Sequence, residues 1–250
     1  MAKYISTGFP ALDEYTKGFK DGELIVVGGR PAMGKTAFVL NITKNLIINQ
    51  KRVLYISLDK EADDIFKRLA VITPSEDFTR LVIERSYVEI LDYSMQIISL
   101  EILNRMIYRA IKNIERKYKC ITSDAVDLIV IDGIDNIFLT NTRLLDKNII
   151  HDVLVSLKDH ALHYNCPVVI TAGIKRNAEK RQNRRPLIDD FNTINGKDDY
   201  IDEVIMLYRE NYYNNSSSEN NNTMELIIEK HSDKKPKTFP LQLKTQARLR

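Results

Sequence analysis

The chain has 250 residues, 44% of them hydrophobic, enough for one large α/β domain with a real apolar core. Its formal net charge of +3 excludes a strongly basic or acidic protein, so any polyanion-binding surface has to be sought in local clusters. Only Cys120 and Cys166 are present, which excludes a disulfide framework, and neither a leader-like N-terminus nor an apolar run of membrane-spanning length is visible; a cytoplasmic protein with no membrane partner is the expectation.

In chain order, short apolar runs at residues 24–28, 53–57, 128–132, 167–171, 204–208 and 224–229 read as buried strands. Helical periodicity separates the early ones. Residues 36–50 place Phe38, Leu40, Ile42, Leu46 and Ile47 among polar residues. Ser99 is a candidate cap for a helix carrying Leu103, Ile107, Ile111 and Ile114, and residues 146–164 repeat Ile150, Val153, Leu154, Leu157 and Ala161. Strand, helix, strand alternation predicts an α/β fold: a mostly parallel, doubly wound sheet with helices on both faces. After Thr171 the helical signals thin out, and an antiparallel C-terminal extension is expected. A basic segment, residues 175–186, carries Lys175, Arg176, Lys180, Arg181, Arg184 and Arg185, and residues 213–223 fall in an Asn/Ser tract expected to be a flexible loop. No internal repeat or boundary appears, so residues 1–250 read as a single domain.

Gly29-Arg30-Pro31-Ala32-Met33-Gly34-Lys35-Thr36 fits G-x-x-x-x-G-K-[ST] and lies between an apolar strand and an amphipathic helix, the context that the motif requires. Such a loop turns backbone N–H groups onto phosphates, and the positive end of the following helix faces the same anion. Lys35 is expected to reach the β and γ phosphates of a nucleoside triphosphate, and Thr36 to offer its hydroxyl to Mg²⁺. The strand at residues 128–132 ends in Asp132, a second candidate for the metal site.

The residues around these motifs resemble the C-terminal RecA-like ATPase domain of the DnaB family of replicative DNA helicases. The resemblance rests on Ile5-Ser6-Thr7-Gly8-Phe9-Pro10-Ala11-Leu12-Asp13, on Arg30-Pro31-Ala32-Met33-Gly34-Lys35-Thr36, on Tyr55-Ile56-Ser57-Leu58, and on Arg68, Cys166-Pro167-Val168-Val169, Arg185-Pro186 and Asp202-Glu203-Val204-Ile205. It covers nearly the whole chain, without the family's N-terminal domain and linker helix. It implies ATP and Mg²⁺ as cofactors and single-stranded DNA as a partner. It also implies a homo-oligomer of the RecA/DnaB type, and the chain's departures from the family pattern open the alternative of association with a full-length helicase. Nucleotide contacts then fall to Gly29, Arg30, Pro31, Ala32, Met33, Gly34, Lys35, Thr36, Ala37 and Arg68, the metal to Thr36 and Asp132, and catalysis to Lys35, Asp59 and Lys230.

The chain departs from the family pattern where chemistry is expected. Asp59 stands in place of a glutamate that orients the attacking water, and a displacement near 1 Å can cost roughly 100-fold in rate. Ala172 and Gly173 replace a Ser-Gln pair that senses the terminal phosphate. Lys230 is kept from a Lys-x-Arg segment that reaches the neighbouring subunit, but Ser232 replaces the arginine. The loop at residues 190–196 carries no cation before Lys197. Two functions therefore stay open: a helicase motor with weakened hydrolysis, and an ATP-binding helicase-interacting protein acting as loader, adaptor or inhibitor. A recombinase-like or clock-like relative is a third possibility. For the basic segment, phosphate tracking and a solvated loop are both open. Asp135 is expected to face a loop, and no metal role is expected for the four histidines.

Overall fold

A computed structural model describes residues 3–72, 87–94, 98–122, 125–139, 147–212 and 223–242. The chain forms β1 (Tyr4–Ile5), α1 (Pro10–Thr16), β2 (Phe19–Lys20), β3 (Leu24–Gly29), α2 (Lys35–Ile48), β4 (Val53–Ser57), α3 (Ala62–Ile72), β5 (Val88–Asp92) and α4 (Leu100–Tyr118). It continues with β6 (Leu128–Asp132), α5 (Asp135–Leu139), α6 (Lys147–Tyr164), β7 (Val168–Gly173), β8 (Glu203–Tyr208), β9 (Thr223–Lys230) and β10 (Lys237–Gln242). The Asn/Ser tract at residues 213–222, the start of the 146–164 helix pattern at Asp146, and Lys244, Arg248 and Arg250 lie outside the described residues.

β1 and β2 pair as a small antiparallel ribbon, and the other strands form one sheet in the order β10-β9-β8-β3-β7-β6-β4-β5. The central strands are almost wholly apolar because both faces are covered: α1, α2 and α3 pack on one, α4 and α6 on the other. Alternation sorts the side chains. On β3, Leu24 and Val26 face α4 and α6, while Ile25 and Val27 face α2. Helix α4 buries Leu103, Met106, Ile107, Ala110, Ile111 and Ile114 at i, i+3, i+4 spacing, and the Ser99 hydroxyl caps it by accepting from the Ile102 N–H at 3.3 Å.

The antiparallel part begins one strand later than expected. β8 runs parallel to β3, with Val26 opposite Val204; the antiparallel pairings are those of β9 with β8 and of β10 with β9. A parallel return needs a crossover of a dozen or more residues but does not need a helix. Residues 174–202 supply it with short 3₁₀ turns at Arg176–Lys180 and Ile188–Asp190, anchored by the buried side chains of Ala178, Phe191, Ile194 and Ile201. β5 and β10, both absent from the pattern of apolar runs, are the two edges of the sheet. β10 carries Pro240 and Lys237, which suits a strand with one side unpaired. Before β3, the Asp13 carboxylate accepts from the Thr7 N–H and hydroxyl and from the Ser6 hydroxyl, which fixes the lead-in to the sheet. Cys120 and Cys166 are both free thiols. Among the described residues no helix is long and apolar enough to cross a membrane.

At the N-terminal end of the central strands, Glu203 is 1% exposed and neither carboxylate oxygen has a hydrogen-bond partner among the described residues. Burial first, then the charges of Glu23 and Asp202, hold its pKa well above the ordinary carboxylate range; Glu23 is raised in the same sense, by burial and then Asp202. The folded state thus binds protons that the unfolded chain releases, so stability is highest below about pH 4.5 for this group and falls as pH rises toward the folded-state pKa. Glu203→Gln removes the titration. Thermal melts at pH 5 and pH 8 should show the wild type losing more stability across this interval than the variant, by roughly 2–4 °C or more. Equal losses would mean that Glu203 does not titrate there.

Candidate functional site: a phosphate-binding loop and its facing acid

The site starts where β3 stops. Residues 30–34 fold back on the end of the strand, with Ala32 at φ 63° and Gly34 at φ 98°, two excursions into left-handed backbone that curl successive N–H groups inward. A side chain at Gly34 would be strained whatever the space around it. Met33 is buried and pins the loop to the core, and the Met33 N–H donates to the Arg30 carbonyl at 3.2 Å. Gly34 is the N-cap of α2 and makes no side-chain cap, so the first N–H groups of a 14-residue helix open onto the loop.

Lys35 lies over Gly29: a Cβ there would meet the Lys35 stem at 3.5 Å, and the ammonium donates to the carbonyls of Gly29 at 2.9 Å and Arg30 at 3.4 Å. Burial lowers its pKa, opposed by the negative charges of Asp135, Asp132 and Asp59, in that order. An ammonium held by loop carbonyls, beneath uncapped N–H groups, suits polyphosphate oxygens. The second loop cation, Arg30, points elsewhere: its Nε donates to Glu179 at 2.8 Å and its Nη1 to the Ile174 carbonyl at 3.1 Å. Pro31, Ala32 and Ala37 are exposed at the loop surface, and Thr36 is half-buried at the first turn of α2.

Asp132 ends β6, two strands from β3, and is 3% exposed. The Tyr55 hydroxyl donates to Oδ2 at 2.8 Å, and the Thr171 hydroxyl donates to Oδ1 at 2.6 Å while accepting from the Gly133 N–H at 2.8 Å. Burial, followed by the Asp132 charge, holds the Tyr55 pKa well above its usual value. Each carboxylate oxygen has a lone pair left after accepting one hydroxyl, so Asp132 can still accept from a metal-bound water. This donor set, with the Thr36 hydroxyl, fits Mg²⁺, a hard cation that keeps several waters, better than a softer metal; among the described residues no cluster of three or more His, Cys, Asp or Glu could hold a metal by itself.

The remaining expected residues fall into two groups. Asp59 follows β4 and comes beside the turn after Asp132, 3.3 Å from where a Cβ on Gly133 would lie, but its carboxylate is exposed and paired with Lys60 at 2.9 Å. Arg68 on α3 donates to Asp64 at 2.7 Å, and its charge reaches Tyr55. Lys230 lies away from the loop. It ends β9 opposite Val204, at the other end of the sheet, and its ammonium donates to the Asp198 carbonyl at 2.7 Å.

The partners of several polar residues had no sequence signal. Asp135 faces a loop: Oδ2 accepts from the Gly173 N–H at 2.5 Å, and Oδ1 from the Thr193 hydroxyl at 2.6 Å. In the basic segment, Arg181 is paired with the buried Asp190, and Arg185 with Glu225 at 2.7 Å. Lys197 is paired with Asp189 at 2.7 Å. Lys175, Arg176 and Lys180 remain exposed. Lys237 stacks on Tyr15, 4.6 Å from the ring centre.

A phosphate loop on a central strand of a mostly parallel sheet, facing an acid two strands away, defines a P-loop nucleotide-binding domain of the RecA-like class. The profile of the DnaB-like helicase C terminal domain matches residues 4–248, and the chain belongs to that family. A probable replicative DNA helicase of Trieres chinensis is 30% identical over 219 residues, covering 83% of this chain and 48% of the relative. The chain thus spans about half the length of the curated relatives it matches. Two solved structures are similar at 26% identity. One, an ATPase domain, has a TM-score of 0.78, over 96% of this chain and 88% of its own. The other, a DnaB-like replicative helicase solved in a study of its interactions with primase, has a TM-score of 0.80, over 97% of this chain and 60% of its own.

The hydroxyls on Asp132 give a direct test. Tyr55→Phe keeps the ring and deletes one of two donors to a buried carboxylate, a loss of about 1.5–3 kcal/mol. Urea denaturation should show a drop of that size. A change below about 0.5 kcal/mol would mean that the Tyr55 hydroxyl does not support Asp132.

Proposed function

We propose that this domain is the motor of a DnaB-type helicase, which binds and hydrolyses ATP and uses the energy to move along one strand of DNA. The observation that carries the reading is the convergence of the Lys35 loop and Asp132 on one face of the sheet, in a chain matched by the helicase domain family from residue 4 to residue 248. In this reading residues 29–37 cradle the phosphates with backbone N–H groups, Lys35 holds the β and γ phosphate oxygens, and Arg68 lies against the nucleotide. Thr36 and Asp132 hold the magnesium. Bound there, Mg²⁺ neutralises charge on the phosphate oxygens. Asp59 orients the attacking water after leaving Lys60, and Lys230 serves the nucleotide of an adjacent subunit. A homo-oligomer is therefore part of the proposal, as is contact of Lys175, Arg176 and Lys180 with single-stranded DNA.

A second reading, an ATP-binding partner of a full-length helicase with little turnover of its own, is favoured by two observations. Asp59 is engaged by Lys60, and Lys197, the first cation after the 190–196 loop, is engaged by Asp189.

Steady-state ATPase assays with and without single-stranded DNA separate the two. A motor predicts DNA-stimulated turnover that falls to background in Lys35→Ala and by about 100-fold or more in Asp59→Ala. ATP binding without turnover and without any change in DNA affinity would sink the motor. Turnover insensitive to Asp59→Ala, with co-purification of a full-length helicase, would establish the partner.

A further inference from the structure

The polar groups of the site are spread over three neighbouring strands. Lys35 lies over the end of β3, Asp132 ends β6, and between them β7 ends in Gly173, in register with Gly29 on one side and two residues beyond Thr171, the partner of Asp132, on the other. Adjacent strands are about 4.8 Å apart, so the ends of β3 and β6 lie about two such spacings apart across the sheet, with the end of β7 at Gly173 between them. A polyphosphate bound to Lys35, with its metal held by Asp132, would bring its last phosphate to the space over Gly173.

Glycine leaves that space free of its own side chain, and another residue enters it. A Cβ on Gly173 would lie 2.7 Å from Asn192 Nδ2 and 3.0 Å from Asp135 Oδ2. Alternation puts position 173 on the same face as Val169 and Thr171, the face covered by α2 and the phosphate loop. The two groups have different duties. Both Asp135 oxygens are engaged, one by the Gly173 N–H and the other by the Thr193 hydroxyl, so this carboxylate ties residue 193 to the end of β7. The Asn192 N–H donates to the Gly173 carbonyl at 3.0 Å, the Lys175 N–H donates to the Asp190 carbonyl at 2.7 Å, and Phe191 bridges Ile174. Residues 190–193 are thus stitched along the strand end. The Asn192 carboxamide is exposed and makes no hydrogen bond among the described residues. A free amide donor, backbone-anchored between an ammonium and a metal-site acid, is complementary to a phosphate oxygen.

We infer that Asn192 donates its side-chain amide to the terminal phosphate of a bound nucleoside triphosphate, so that triphosphate and diphosphate are distinguished by residues 190–193 and not by a side chain on β7. The inference rests on the proposed phosphate site. It deepens that reading by naming the group that contacts the last phosphate and the segment that follows its presence. Asp135 is a positioning residue in this arrangement: it ties residue 193 to the end of β7 and so holds Asn192 in place.

The test compares affinities of the full chain, with Mg²⁺, for a fluorescent ATP analogue with a non-hydrolysable β–γ bridge and for the matching ADP analogue. Asn192→Ala should weaken the triphosphate by about 10-fold or more, the loss of a hydrogen bond to a charged group, and leave the diphosphate within about twofold. Asn192→Asp should weaken the triphosphate further, because like charges then face each other. Gly173→Ala, whose methyl would meet both the Asn192 amide at 2.7 Å and the Asp135 carboxylate at 3.0 Å, should weaken the triphosphate at least as much as Asn192→Ala. Thermal midpoints should be unchanged in both Asn192 variants. Triphosphate and diphosphate weakened equally, or neither weakened, would overturn the role of Asn192 while leaving the phosphate loop intact. A wild type that binds neither nucleotide would overturn both.

Discussion

A single buried charge organises the phosphate-loop end of this sheet. Asp132 is almost fully enclosed, and an enclosed carboxylate is tolerable only when its oxygens are hydrogen-bonded. The donors come from the two strands that flank it, Tyr55 from β4 and Thr171 from β7. That is possible only in one register. Ser57 and Thr171 both lie opposite Asp132, which points Tyr55 and Thr171 to the same face as the acid. A slip of one residue in either strand would turn the hydroxyl to the other face and leave the acid unsupported. The Thr171 hydroxyl also accepts from the Gly133 N–H, so the turn after the acid is tied to the same network.

The polarity of the sheet then separates its functions. In a parallel α/β sheet, ligands bind beyond the carboxyl ends of the strands, and the phosphate loop, Asp132, Asp135 and Gly173 all gather there. Because β9 runs antiparallel to β8, its last residue reaches the other end. From Val204, opposite Lys230, to Leu207, level with the loop, the chain advances roughly 10 Å. Lys230 cannot reach the phosphate loop of its own chain from there, and any part it takes in nucleotide chemistry requires a second subunit.

The central strands and the phosphate loop are legible because their signals are local. An apolar run of five residues is a buried strand, and Gly-Lys-Thr at the start of an amphipathic helix states its own context. The edge strands β5, Val88-Glu89-Ile90-Leu91-Asp92, and β10, Lys237-Thr238-Phe239-Pro240-Leu241-Gln242, break their apolar residues with charged or polar ones and show no such run. Tyr55 and Thr171 read only as strand residues, since their function depends on which strands become neighbours. The basic segment misleads for the same reason. Its arginines look free in sequence, but the acid that holds Arg181 is nine residues away and the one that holds Arg185 is on β9, 40 residues away. Asn192 had no signal at all, for it belongs to a loop and matters only because Gly173 leaves space.

What joins β7 to β8 is the crossover at residues 174–202. Arg30, at the second position of the phosphate loop, is committed to Glu179 and to the Ile174 carbonyl, and is 13% exposed, so the pair is shielded more than a surface ion pair and holds the loop against the crossover. Glu179 belongs to the same 3₁₀ turn as Arg176 and Lys180. Further along, Asp190 is fixed by Arg181, and residues 190–193 lie along the end of β7. The crossover therefore touches the phosphate loop at one point and the strand end between Lys35 and Asp132 at another, while its exposed cations face outward. In the proposed motor, a change at the phosphates that moved either contact would move a segment whose exposed residues carry positive charge, a physical route that would join nucleotide state to polyanion contact in one chain.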